Sequence, residues 1–129
     1  MSLNFIVIDD NAVDLLVSSR LVEYAFGSVV ISLKGSTEAL KYFEHNLVSE
    51  NTVILLDIKM PDMDAFQFLD HFMFFKESIK KNTRIFLLSS TLDRNDLERA
   101  ENHKLVVKLL NKPLNTDELK ELLREPEKI

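Results

Sequence analysis

Along the chain, apolar residues gather into five short runs separated by segments with helical spacing. Leu3-Asn4-Phe5-Ile6-Val7-Ile8 is the first, β-branched and too short for a buried helix, and it stops at Asp9-Asp10-Asn11. Val29 to Leu33, Val53 to Leu56, Arg84 to Leu88 and Leu105 to Leu110 repeat the pattern. Val53-Ile54-Leu55-Leu56 lacks the alternation of a half-exposed strand, so it predicts a strand covered on both faces, as in a parallel sheet. That run ends abruptly in Asp57, followed by Ile58-Lys59-Met60-Pro61-Asp62-Met63-Asp64.

The intervening segments carry helix signals. Asn11 with Asp14 three residues on is an N-cap signature, opening a helix to about Phe26 that shows Leu15, Val22 and Phe26 on one face, with Gly27 placed to stop it. Ser36-Thr37-Glu38 opens a second helix with Ala39, Leu40, Phe43 and Leu47 in helical register. A third, from Ala65 to about Lys76, holds Phe66, Phe68, Phe72, Phe74 and Phe75, five of the nine phenylalanines. Ala65, Phe66, Leu69, Phe72 and Met73 suffice to face a sheet, which leaves Phe68 and Phe75 either as extra core or as a docking stripe. Asp93, with Asp96, caps a short fourth helix, and Leu92 and Leu97 are placed as a hydrophobic staple. Beyond Leu97 and Ala100 that helix has little apolar surface, so it is expected to shift readily in a switch. Asn115 and Glu118 form a capping box and Leu114 and Leu119 a second staple, with Leu119, Leu122 and Leu123 anchoring a last helix before Pro126.

Five strands alternating with five helices across short loops predict a single α/β domain over residues 1–129. Its expected form is a doubly wound five-stranded parallel sheet with helices on both faces and right-handed crossovers. Composition narrows its partners. The net charge of −5 argues against general electrostatic binding to nucleic acid, which needs clustered cations. No apolar run approaches the ~18 residues of a membrane span, and no secretory signal is visible. With no cysteine there is neither a disulfide framework nor a thiolate metal site, which fits a cytoplasmic setting. His45, His71 and His103 neither fall at a strand tip nor pair at ligand spacing, so a transition metal is not expected.

A parallel sheet brings its strand tips to one edge, where ligands bind in open α/β folds. Here those tips carry Asp9 and Asp10, Asp57, Ser89 and Lys112. Clustered carboxylates repel one another and call for a counter-charge, and oxygen-only ligands suit Mg²⁺ best.

The Asp-Asp pair at the first tip, Asp57-Ile-Lys-Met-Pro-Asp-Met-Asp64 at the third, Ser89-Ser90 at the fourth and Lys112-Pro113 at the fifth resemble the response regulator receiver domain. The resemblance spans nearly the whole chain, and the order and spacing of the four signs together make it specific. It implies the flavodoxin-like strand order 2-1-3-4-5 and names Asp57 as the phospho-acceptor, taking a phosphoryl group from a phosphohistidine on a sensor histidine kinase or a histidine phosphotransfer protein. By the same resemblance Asp10 ligates Mg²⁺ directly, Asp9 does so through water, and the backbone carbonyl of Lys59 completes the protein ligands. Lys112 pairs with the phosphoryl oxygens, and Ser89 moves to hydrogen-bond them. An unidentified output protein then reads the switched surface, and the chain itself is expected to turn over no substrate beyond slow self-dephosphorylation. Two other classes stay open: a pseudo-receiver scaffold indifferent to phosphorylation, and a Mg²⁺-dependent phosphohydrolase working through an aspartyl phosphate.

The chain departs from the family pattern in three places. Ala65 stands where glycine is usual and would strain the turn only at positive φ. Leu109 replaces the aromatic whose inward swing accompanies the hydroxyl, and Glu101-Asn102-His103-Lys104 replaces a Gly-Ala pair before the fifth strand. All three concern signalling, whereas the residues for phosphorylation are complete.

Overall fold

A computed structural model describes residues 3–124. The chain runs β1 (Asn4–Ile8), α1 (Ala12–Phe26), β2 (Val30–Leu33), α2 (Ser36–His45), β3 (Thr52–Asp57), α3 (Ala65–Phe72), α4 (Glu77–Lys81), β4 (Thr83–Ser89), α5 (Arg94–Asn102), β5 (Val106–Asn111) and α6 (Thr116–Arg124). All strand pairs are parallel, in the order β2-β1-β3-β4-β5.

Burial on both faces explains the unbroken apolar runs. Every residue of β3 is buried, yet its side chains still alternate between two cores. Val53 and Leu55 join Phe5, Val7, Phe86 and Leu88 in a cluster closed by Leu15 and Val22 of α1 and Leu119 of α6. Ile54 and Leu56 join Ile6, Ile8, Ile85 and Leu87 on the other face, under Phe43 of α2, Phe66, Phe68, Leu69 and Phe72 of α3, Ile79 of α4 and Ala100 of α5. Each fully buried large side chain contributes ~1.5–3 kcal/mol, so these two layers hold the central strands, and with them the tips, in place.

The predicted helix ends are seen at α1. Asn11 Oδ1 accepts the Asp14 N–H at 2.9 Å. Gly27, at φ 65°, takes the left-handed conformation that closes the helix, its N–H bonded to the Glu23 carbonyl. β2 starts one residue later than expected, and β5 is shifted by one, to Val106–Asn111.

Three expectations are corrected. The second helix ends at His45, which leaves Leu47 outside it and 89% exposed. The third helix stops at Phe72, because the N–H groups of Phe74 and Phe75 bond three residues back, to His71 and Phe72, tightening the last turn. Lys76 then adopts an extended ψ of 144°, and Lys80 Nζ reaches back 2.9 Å to the Met73 carbonyl. A separate short helix, α4, follows, so there are six helices among the described residues rather than five. The fourth predicted helix, now α5, runs on to Asn102; Asp93 caps it through the Asn95 N–H rather than through Asp96, and Leu92 of its intended staple stays 49% exposed.

Of the two readings for the phenylalanines, extra core is the one realised. Phe68 is fully buried, and the Phe43 ring centroid lies 6.3, 5.2 and 6.1 Å from those of Phe68, Phe72 and Phe75. Phe74 instead points outward, 91% exposed. Leu114 and Leu119 are buried in one cluster as the second staple requires, but Glu118 pairs with Lys108 at 3.4 Å, and only the Asn115 half of the box, accepting the Glu118 N–H, is formed. Pro126 lies outside the described residues.

Candidate functional site

The strand tips are pinned by backbone hydrogen bonds that carry the ladder one step past the last paired residues. Asp9 N–H donates to the Leu33 carbonyl at 3.1 Å, Ile58 N–H to Leu88 at 2.9 Å and Lys112 N–H to Ser89 at 2.8 Å. Side chains that are far apart in sequence are thereby held at one edge with little freedom.

At that edge Asp9, Asp10 and Asp57 each offer a carboxylate oxygen, all within 4.8 Å of one another. Asp9 and Asp57 are buried and Asp10 is exposed. Asp10 packs beside Gly35, whose φ of 127° suits glycine alone. Three hard oxygen donors, open to solvent on the Asp10 side, fit a small divalent cation such as Mg²⁺, which keeps several waters. Lys59, two residues past Asp57, has an exposed side chain.

Lys112 enters from β5. Its ammonium lies 2.7 Å from Asp9 Oδ2, 3.0 Å from Asp57 Oδ1 and 3.0 Å from Asp14 Oδ2. Burial by itself lowers the Lys112 pKa, but the hydrogen bonds to Asp9, Asp57 and Asp14 outweigh it, and the net effect is a rise above the ordinary lysine value. Burial pushes the Asp57 carboxyl up to about 6, with the Asp9 charge adding to the rise and Lys112 opposing it. Asp57 is therefore mostly ionised at neutral pH, at a desolvation cost that an added cation would relieve.

Asp14 is the member of this group that sequence reasoning missed as a site residue. At the third position of α1 it reads as half of a capping box, with its carboxylate due to return to the Asn11 N–H. In the fold that N–H donates to Asp9 Oδ1 at 2.9 Å. The Asp14 carboxylate is left to reach Lys112. No spacing rule signals a contact between residues 14 and 112; only the sheet order does.

Ser89 is buried at the tip of β4, where its Oγ donates to the Thr91 carbonyl and accepts the Thr91 N–H at 3.2 Å. In the resting fold the hydroxyl thus has partners already. The loop beyond Asp57 is also tied down. Ala65 N–H bonds the Ile58 carbonyl at 3.1 Å, Ser36 Oγ donates to the Met63 carbonyl at 2.8 Å, and Thr37 Oγ1 donates to Asp62 Oδ2 at 2.7 Å, lowering the Asp62 pKa. Asp64 and Gln67 close a reciprocal capping box at the start of α3. Ala65 is fully buried as the first residue of that helix, and Asn51 is the only non-glycine at positive φ among the described residues, so the alanine carries no backbone strain. Leu109 is buried in the core beneath α5, already inward.

Known proteins share this fold. A response regulator receiver protein from Dyadobacter fermentans DSM 18053 is 31% identical over 95% of this chain and 96% of its own, with a TM-score of 0.89. A two-component response regulator from Cytophaga hutchinsonii shares the fold at 22% identity, covering 95% of each chain with a TM-score of 0.83. So does a structure described as an adenylate cyclase from Rhodopirellula baltica, at 22% identity over 95% of this chain and 85% of that one, TM-score 0.74. No match is found among curated proteins. The sequence itself matches the response regulator receiver domain over residues 5–124, nearly the whole of the described fold and all of the strand-tip site, and the chain belongs to that family.

Proposed function

We propose that the protein is a phospho-accepting receiver of a two-component or phosphorelay system, taking a phosphoryl group onto Asp57 from a phosphohistidine of a sensor histidine kinase or histidine phosphotransfer protein. The observation that carries the reading is the half-buried Lys112 ammonium, hydrogen-bonded to Asp9 and ion-paired with Asp57 at the edge where Asp10 is open to solvent. An Asp57 carboxylate oxygen attacks phosphorus, the O–P bond forms as the N–P bond breaks, and the departing imidazole keeps the bonding pair and takes a proton. Both reactants are anionic, so the transfer needs positive charge placed in advance. Lys112 supplies one such charge from the protein, on the oxygens of the transferring group. Asp10 and Asp57, with Asp9 through water and the Lys59 carbonyl, would hold Mg²⁺, which when bound neutralises the nucleophile and the phosphoryl oxygens.

The Ser89 hydroxyl must exchange its Thr91 carbonyl partner for a phosphoryl oxygen. That exchange, rather than the filling of an empty bond, biases the Thr91 loop and α5 above it. α5 contributes a single fully buried residue, Ala100, which suits it to move. The rearranged face is then read by an output protein. The reading implies a cytoplasmic, non-turnover protein; among the described residues no helix is long and apolar enough to cross a membrane.

Incubation with acetyl phosphate and Mg²⁺ tests the proposal by mass spectrometry. One phosphoryl group is expected on the wild type and none on Asp57→Ala. An unmodified wild type would favour the pseudo-receiver scaffold, and sustained turnover of an external phosphomonoester would favour the hydrolase.

A further inference from the structure

Lys112 faces three carboxylates, Asp9, Asp57 and Asp14, and donates hydrogen bonds to Asp9 and Asp14. Asp9 and Asp57 belong to the acceptor site. Asp14 does not: it sits on α1, and the carboxylates that converge within 4.8 Å of one another are those of Asp9, Asp10 and Asp57. Its contact is also of a different kind. The Asp9 side chain is 1% exposed and that of Asp14 is 43% exposed, on a cleft of about 190 Å³ lined by Asp14, Val17, Ser18, Ser90, Lys112 and Pro113. Water therefore reaches the Asp14–Lys112 pair, and its hydrogen bond can be exchanged at small cost, whereas the Asp9 bond is enclosed.

We propose that Asp14 is a positioning residue for Lys112: it occupies one of the ammonium's donors in the resting protein and competes with the phosphoryl group for it. The inference rests on the function proposed above. When an acyl phosphate forms on Asp57, the carboxylate charge there becomes a set of phosphoryl oxygens that require donors. Asp9 keeps its buried bond, so the added demand falls on the side of the ammonium that faces Asp57 and on the donor that Asp14 holds. Releasing Asp14 is the step that lets Lys112 turn fully toward the phosphoryl group. Asp14 thus holds back the engagement of Lys112 and slows acceptance from a small donor. A carboxylate placed to assist the transfer would do the reverse.

Two measurements test this. In the metal-free protein, with no donor present, Asp14→Asn is expected to speed solvent exchange of the Lys112 ammonium protons, observed by nitrogen-15 NMR of labelled lysine, and Asp14→Glu to restore slow exchange. Unchanged exchange in Asp14→Asn overturns the proposal, whatever the phosphorylation result. With acetyl phosphate and Mg²⁺, Asp14→Asn is expected to accept the phosphoryl group roughly three- to tenfold faster than the wild type, the scale of losing one partly exposed charged hydrogen bond. The same substitution in a Lys112→Ala background is expected to change nothing, because the effect runs through the ammonium. An equal acceleration in both backgrounds would instead assign Asp14 a general electrostatic role and overturn the positioning claim. A wild type that accepts no phosphoryl group rejects the receiver function, and the ammonium exchange still decides the role of Asp14.

Discussion

Replacing Asp57 by asparagine is expected to stabilise the metal-free protein, and to do so increasingly as pH rises from the ordinary carboxylate value through the folded one. The folded-state pKa is about 6 against an ordinary value of 3.8, with burial as the main cause. An acid whose pKa is raised by folding stabilises the fold relative to its ionised form below the unfolded value, and that contribution is lost as pH rises through the folded value. Above pH ~7 the gap corresponds to at most ~3 kcal/mol of destabilisation by the charged group, which asparagine, close in shape to the neutral acid, removes. The amide must still face Lys112 at 3.0 Å, so a gain of ~1–3 kcal/mol is expected at pH 8. At pH 4.5 the same linkage leaves about a third of it. Urea unfolding followed by circular dichroism, in chelator at both pH values, reads the difference as a change in midpoint at constant slope. Added Mg²⁺ should close the gap by stabilising the wild type more than the variant. A variant no more stable than wild type at pH 8, or equally stabilised at both pH values, would refute the assignment of Asp57 as a desolvated carboxylate.

Other expectations follow from single contacts. Lys112→Ala leaves buried Asp9 without its 2.7 Å partner and should cost ~2–4 kcal/mol in urea unfolding without metal, while largely sparing Mg²⁺ binding by titration and uncoupling the phosphorylated state from the Ser89 rearrangement seen in amide chemical shifts. Phe43→Ala removes the ring at the centre of the α2–α3 cluster, and thermal unfolding should register a loss of ~3–5 kcal/mol. Arg99 lies 3.9 Å over the Phe66 ring, so Arg99→Ala should weaken the docking of α5 by ~0.5–1 kcal/mol and raise hydrogen exchange in that helix ahead of the others. Phe74→Ser, at a 91% exposed position, should leave stability within about 0.5 kcal/mol of wild type.

Much of the site was legible before the fold was known, because the chemistry is concentrated at abrupt endings. A β-branched run that stops at Asp57, Asp9 or Lys112 announces both a buried strand and a polar tip, and parallel topology does the rest. Helix starts were readable for the same local reason: Asn11 and Asn115 hold the side chains that accept from backbone N–H groups three residues on. Helix ends were less so. Whether the chain continues past Phe72 depends on three-residue backbone bonds and on Lys80 reaching back to Met73, and no apolar spacing encodes either.

The sequence by itself determined the five strands, most of the helix starts and the four polar strand tips, since these follow from local periodicity and from where apolar runs break. Tertiary structure alone decided who touches whom at those tips. Asp14 turns from its expected cap to Lys112 because Asp9 claims the Asn11 N–H first, Ser89 turns to Thr91, and Ser36 and Thr37 bind the loop beyond Asp57. Each of these is a choice among several nearby donors and acceptors. Such choices are settled by distances that exist only once the sheet has ordered its strands.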